Sequence, residues 1–412
     1  MKLQPSISFF CAVLVTLLAT GCDMFGEKSD PVTDEIFVAG RSDPQLLDEV
    51  EYVPLYPFFT RSASGGNFDA PSDVYVGFDE FVYVTDRRGV HVLESSGRPA
   101  TFYPIDGGAT AVVQDRLLNL YVVSRRDTLI DGRTWNLPAV LKVSGLPFGT
   151  PRIENIIWHP FSDDTRQRRS PEDADELVEF TDVGVLWDNS VYVSRRGPNN
   201  QSNSVLAPHN AILEFNQDGI NTIRIPLNPT VANLRSAISP SAVATYVQPP
   251  QRESFAQEKH FILAQAPDNQ QLQYSVLSIR AVVTTDGIEY RPDTDMLQQA
   301  SIPDRGNGFL YDEFKFNDPS DIAIAGDNTQ YIYVLDAAKD SLFVFTSNGI
   351  EGVAPPPGAN STIPVVVSFG GTGDGSNQFN NPQGVAYSNQ IVYVADTGNN
   401  RISRFRLNTD FE

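Results

Sequence analysis

The stretch "FNNPQGVAYSNQIVYVADTGNNRISRF", residues 379–405, decides the reading of this chain. An aromatic residue leads through a proline turn into a short apolar run, then a polar turn, then an aromatic-Val-x-Asp run, then a third run. Two earlier stretches repeat its opening: "FDAPSDVYVGFDEFVYVTD" from Phe68 and "FNDPSDIAIAGDNTQYIYVLD" from Phe316. Short runs rich in Val, Ile, Tyr and Phe, bounded by Gly, Pro, Asn and Asp, are strands. No long apolar pattern of helical period follows the N-terminal segment, so the chain reads as nearly all β.

Working outward, the aromatic-Val strand recurs as "FVYVTD" (81–86), "NLYVVSRR" (119–126), "SVYVSRR" (190–196), "YIYVLD" (331–336) and "IVYVAD" (391–396), with a degenerate copy, "HFILAQAPDN" (260–269). Each has a short strand before it and another after it. A fourth usually follows, as in "ATFYPI", "RIENIIW", "NTIRIPL", "GIEYRP" and "PVVVSF". A single four-stranded unit cannot bury both its faces, whereas units stacked around an axis can. The pattern therefore predicts a six-bladed β-propeller. The sixth unit lacks a fourth strand after "RISRFRL", and "EVEYVPLYPFF" (49–59) belongs to no unit. Pairing that spare strand with the last blade closes the ring and removes an exposed edge.

F-x-x-P-x-G-V-A followed by I-V-Y-V-A-D-T-G-N-N-R-I resembles the NHL repeat, closely at 379–405 and well at 68–86 and 316–336; elsewhere only the strand pattern remains. Pro71, Pro319 and Pro382 enter innermost strands, where a fixed φ and a missing donor are tolerated. Phe68, Phe316 and Phe379 are placed to plug the gaps between blades. Asp86, Asp336 and Asp396 end second strands, where a carboxylate accepts backbone N–H groups of the next turn.

The N-terminus carries a different signal. "MKLQPSISFFCAVLVTLLATGC" has one early Lys, an apolar run from Ile7 to Ala19, and small residues before Cys22. The run is that of a signal peptide, short for a membrane span. The small residues before a Cys resemble the bacterial lipobox, which implies cleavage before Cys22 and its lipidation. The expected organisation is a signal peptide over 1–21, the lipidated Cys and a polar tether over 22–48, and a propeller over 49–412. Cys11 and Cys22 are the chain's cysteines, so the mature propeller has no disulfide and is held by packing. This places the domain outside the cytoplasm, in a bacterial envelope, periplasmic or at the cell surface. A net charge of −21 argues against nucleic acid as a partner.

Loops before the first strand and after the second share one face of a propeller, here called the top. Asp73, Asp321 and the arginine pairs Arg87/Arg88, Arg125/Arg126 and Arg195/Arg196 converge there, as do the long insertions 127–137, 161–176, 197–209 and 303–316. Either Arg88, Arg126 and Arg196 help bind an anionic or carbonyl-rich ligand, or these arginines pair with neighbouring aspartates and hold the blades in register. The channel aspartates raise Ca²⁺ as a candidate cofactor, through oxygen ligands; propellers of the gluconolactonase type do catalysis with such an ion. The amidating-lyase relatives of NHL propellers use several histidines on zinc. Here His91, His159, His209 and His260 come from four blades, which does not favour a shared zinc. No G-x-S-x-G elbow, H-E-x-x-H or phosphate-binding glycine loop occurs. The expectation is a non-catalytic scaffold for a protein, peptide or glycan, with a cation-dependent hydrolase or lyase as the alternative.

Overall fold

The computed structural model describes residues 50–162, 168–200, 208–226, 239–247, 249, 259–266, 274–300, 307–359 and 361–411. The signal segment, Cys22 and the tether lie outside the described residues, as do parts of three of the four insertions.

β1 (Tyr52–Pro54) precedes the first blade, formed by β2 (Asp73–Val76), β3 (Val82–Asp86), β4 (Gly89–Leu93) and β5 (Pro99–Pro104). Blade 2 holds β6 (Ala111–Gln114), β7 (Leu120–Ile130), β8 (Arg133–Ser144) and β9 (Arg152–Trp158). Blade 3 holds β10 (Glu179–Val185), β11 (Val191–Arg196), β12 (Ala211–Phe215) and β13 (Asn221–Pro226). Blade 4 holds β14 (Pro240–Thr245), β15 (Phe261–Gln265), β16 (Val276–Thr284) and β17 (Gly287–Pro292). Blade 5 holds β18 (Pro319–Ile324), β19 (Ile332–Asp336), β20 (Ser341–Phe345) and β21 (Phe369–Gly370). Blade 6 holds β22 (Gly384–Ser388), β23 (Ile391–Asp396) and β24 (Arg401–Leu407), with β1 as its outer strand. Neighbouring strands within every blade run antiparallel.

The closure predicted from the spare N-terminal strand is present. Tyr52 faces Leu407, Val53 faces Arg406 and Pro54 faces Phe405, and Phe59 bridges to Ile402. The Tyr52 hydroxyl also meets that of Tyr333 in blade 5 at 3.0 Å, so the closing strand is bonded across a blade boundary.

The core lies between blades. One cluster joins Val74, Val82 and Val84 of blade 1 to Ala386, Tyr393 and Ile402 of blade 6. Another joins Leu335 and Val344 of blade 5 to Val392, Val394 and Phe405 of blade 6. This is why β3, β19 and all but the first residue of β23 are buried throughout rather than alternately. Phe68 and Phe379 are buried in these two seams and Phe316 in the cluster that joins blades 4 and 5, each worth roughly 1.5–3 kcal/mol of transfer free energy.

The strand-ending aspartates do more than cap the following turn. Asp86 accepts the N–H of Arg88 (2.8 Å) and also that of Asp69 (3.1 Å), just after Phe68. Asp336 does the same with Ala338 and Asn317, and Asp396 accepts from Asn380. Each carboxylate thus ties the phenylalanine loop to the end of the second strand. Burial alone would raise the Asp86 carboxyl, but His91 and Arg88 hold it well below the usual carboxylate range.

One predicted strand is shortened. "PVVVSF" (364–369) pairs with β20 only at its end, where Phe369 faces Leu342. The segment before it takes the lower edge of β20 first: Phe345 bridges Glu351, and Gly352 donates to the Val344 carbonyl at 2.8 Å. Val365 is left to pair with Val353 instead.

Candidate ligand-binding channel

The innermost strands β2, β6, β10, β14, β18 and β22 enter the channel from the top, and one register position recurs in all of them. It is occupied by Asp73, Ala111, Asp182, Ala242, Asp321 and Gly384 in turn. Carboxylates therefore alternate with small residues around the axis.

The three carboxylates are built identically. Oδ1 of Asp73 accepts the N–H of Val74 (2.7 Å), and Oδ2 accepts that of Val112 in the next blade (2.8 Å). Asp182 accepts from Val183 (2.7 Å) and Val243 (2.8 Å). Asp321 accepts from Ile322 and Val385, both at 2.7 Å. Each aspartate is a staple between one blade and the next, and the small residue at the neighbouring position leaves it room. A Cβ on Gly384 would stand 2.6 Å from Asp73 Cα and 2.7 Å from its Oδ1.

Burial and mutual repulsion act on this ring together. Burial raises the Asp73 carboxyl, and the charge of Asp182 raises it further, against the two amide bonds. Burial, then Asp73 and Asp182, raises Asp321. Burial pushes Asp182 up to about 7. The ring is the waist of the channel: it borders an upper cavity of about 770 Å³ and a lower one of about 660 Å³.

The upper cavity opens among Ser72, Thr110, Thr181, Ser241, Ser320 and Gln383, which directly precede the ring position. Several of these hydroxyls are committed to the frame: Ser72 donates to Ala109 O (3.0 Å), Ser241 to Pro319 O (2.6 Å) and Ser320 to Pro382 O (3.0 Å). Farther out the mouth is lined by Arg125, Glu179, Arg196, Asn317 and Asp318. A wall rises beside it, where the extended hairpin of β7 and β8 is held to the short helix Asp173–Glu176. Arg133 bonds Asp173 (2.8 Å) and Glu176 (2.9 Å) and stacks over Trp135.

The arginines fare unequally because successive strand residues face opposite ways. Arg125 reaches the mouth, but its guanidinium is spent on Asn136 and on the carbonyls of Glu176 and Val178. Arg126 lies near Tyr103 of blade 1 and does not border the upper cavity. Arg88 is held by Asp86 (2.6 Å) and the Asn67 carbonyl (2.9 Å), also away from that cavity. Arg196 does line the mouth, with Nε 2.7 Å from Glu179 Oε2. Asp73 and Asp321, singled out by the P-S-D motif, fall in the ring as a pair. Asp182 completes it and was missed, because blade 3 enters with "FTDV" and has no proline before the aspartate.

Both oxygens of each ring carboxylate already hold backbone amides, and among the described residues no group of three His, Cys, Asp or Glu could hold a metal ion. The histidines are engaged elsewhere. His91 is buried against Asp86 at 2.8 Å. His159 lies 3.1 Å from Asp175, and its ring centre is 6.3 Å from that of His209. Burial pushes both His159 and His209 down to about 4, so they are neutral at pH 7.

The model for the NHL repeat matches residues 379–405. No curated protein matches the chain. Among solved structures, the chain is similar to a protein of unknown function from Bacteroides thetaiotaomicron, at 15% identity over 87% of this chain and 76% of the other, with a TM-score of 0.49. It is similar to a virginiamycin B lyase from Staphylococcus aureus at 12% identity over 87% and 99%, TM-score 0.40. A putative gluconolactonase is similar at 12% identity over 89% and 97%, TM-score 0.45. Likenesses at this level say nothing of activity. The six four-stranded sheets make this chain a six-bladed β-propeller, and its last blade carries the stretch, residues 379–405, that the NHL repeat model matches.

Proposed function

We propose that this protein is an envelope lipoprotein, anchored through Cys22, whose propeller binds a ligand at its top face without acting on it chemically. The observation that carries this reading is the upper mouth: about 770 Å³, lined by hydroxyls, amides and charged groups, and floored by carboxylates already committed to the frame. With Arg125 spent internally and Arg196 beside Glu179, the mouth favours a neutral or cationic partner rich in hydrogen-bonding groups, a glycan or a basic peptide. Long loops set on a rigid frame suit recognition.

Calorimetric titration of the full chain against neutral glycans, acidic glycans and basic peptides tests this. Saturable binding of a neutral or cationic class, weakened about tenfold by Asn317→Ala with the melting temperature unchanged, is expected. Binding only of acidic ligands, lost in Arg196→Ala, would return the site to an anion receptor. The alternative of a cation-dependent hydrolase or lyase predicts stoichiometric metal in the purified protein, lost in Asp73→Ala and Asp321→Ala.

A further inference from the structure

Among the described residues both faces of the propeller expose apolar side chains, and those of the bottom sit on its turns. Innermost strands run from top to bottom, so the turns between first and second strands, and between third and fourth, lie at the bottom. Four of those turns, or the hairpin that ends in one, carry large apolar side chains in solvent. Leu117 (63% exposed) sits between β6 and β7, and Phe148 (85%) between β8 and β9. Ile220 (61%) lies between β12 and β13. Val283 (83%) is near the tip of the hairpin of β16 and β17. Phe411 (44%) follows the lower end of β24. Among the described residues the top shows Leu129, Leu177 and Phe314. The bottom projections come from blades 2, 3, 4 and 6 and lie outside the residues that line the lower cavity.

The chain also enters the propeller from this side. Tyr52 pairs with Leu407 at the lower end of β24, and Pro54 pairs with Phe405 above it. Val50 is therefore at the bottom, and the chain that leads on from Cys22 enters the domain there. Residues 23–49 limit the distance from Cys22 to the propeller to under about 100 Å at full extension. Confinement of that order makes weak apolar contacts count, because the second contact is intramolecular.

We infer that the bottom face is a membrane-resting face, its apolar turn tips seated in the interface of the bilayer that holds the anchor, with the top mouth turned away from it. This rests on the anchoring reading above. With a net charge of −21 and Asp218 and Asp286 exposed beside these tips, attraction to anionic lipid cannot drive the contact. The lipid is zwitterionic, and the contact is insensitive to salt.

Mass spectrometry of Cys22 in the membrane fraction tests the anchor by itself. The face is tested on the full chain held on phosphatidylcholine vesicles containing a photoactivatable lipid, with crosslinks mapped by peptide. If Cys22 proves unmodified, a Cys11→Ser chain coupled through Cys22 to a maleimide lipid reads the face all the same. Crosslinks several times more frequent in 115–119, 145–151, 216–220 and 281–289 than in 127–137 and 173–177, unchanged by salt and reduced by Phe148→Ser with Val283→Ser, are expected. Crosslinks concentrated at the top, or spread evenly over both faces, overturn the assignment.

Discussion

Asp182 shows how a single side chain carries two duties here. It accepts one backbone amide of its own blade, from Val183, and one of the next, from Val243, and burial keeps its carboxyl up at about 7. The sign of the consequence follows from linkage. The unfolded chain gives up this proton near 3.8 while the folded chain still holds it. Its contribution is thus fully present below pH 4 and is lost as pH rises from about 4 to about 7. Lowered groups such as Asp86 and Asp175 act in the opposite direction, so the comparison must be differential. Relative to wild type, Asp182→Asn is expected to gain stability from pH 4 to pH 7, by an amount on the order of 1–4 kcal/mol. Urea midpoints across that range measure it, and parallel curves would remove the ring's claim to an elevated carboxyl. Gly384→Ala tests the alternation from the other side: with a Cβ 2.6 Å from Asp73 Cα, it should cost about 1–3 kcal/mol by overpacking. The repeat motif made Asp73 and Asp321 legible, but neither their repulsion nor the need for Ala111, Ala242 and Gly384 between them could be read without the blades in place.

At the scale of elements, strand count followed from local pattern because each strand is short, apolar and bracketed by turn residues. Even the degenerate copy in blade 4 appears as β15, buried throughout. The exception is instructive. Val365–Val367 have every local property of a strand, yet β20 has one free edge, and the segment around Glu351–Gly352 reaches it first. Closure is the element on which most depends. Tyr52 joins β24 by pairing, Tyr333 by its hydroxyl and Phe369 by ring contact at 5.9 Å. Tyr52→Ala is expected to cost about 3–5 kcal/mol and to free the edge of β24. The thermal midpoint should fall, and light scattering should show concentration-dependent association. A small change with no association would mean that the ring does not need its N-terminal strand.

For the molecule as a whole, the core lies in the seams and no blade keeps its own apolar faces covered. Unfolding is therefore expected as one transition rather than blade by blade. Tyr52→Ala, at the closure, and Asp182→Asn, in blade 3, should each shift that same transition, as seen by both tyrosine fluorescence and far-ultraviolet circular dichroism. Two separated transitions would show that the seams are weaker than the sheets. The same ring geometry separates a polar upper mouth from a lower face studded with Phe148, Val283 and other apolar tips.

The amino-acid sequence by itself determined the blade number and the strand pattern within blades, because both rest on short-range periodicity and on turn residues whose backbone preferences are local; the pairing of the two ends followed from the count, one unit lacking a strand and one strand lacking a unit. It also marked Cys22 and the segment around it. The tertiary structure alone decided which arginines face the channel, where β20 finds its outer partner, and how Asp182 joins Asp73 and Asp321 into one ring. Those outcomes turn on strand register, desolvation and charge repulsion between residues distant in the chain, and such quantities exist only once the circle is closed.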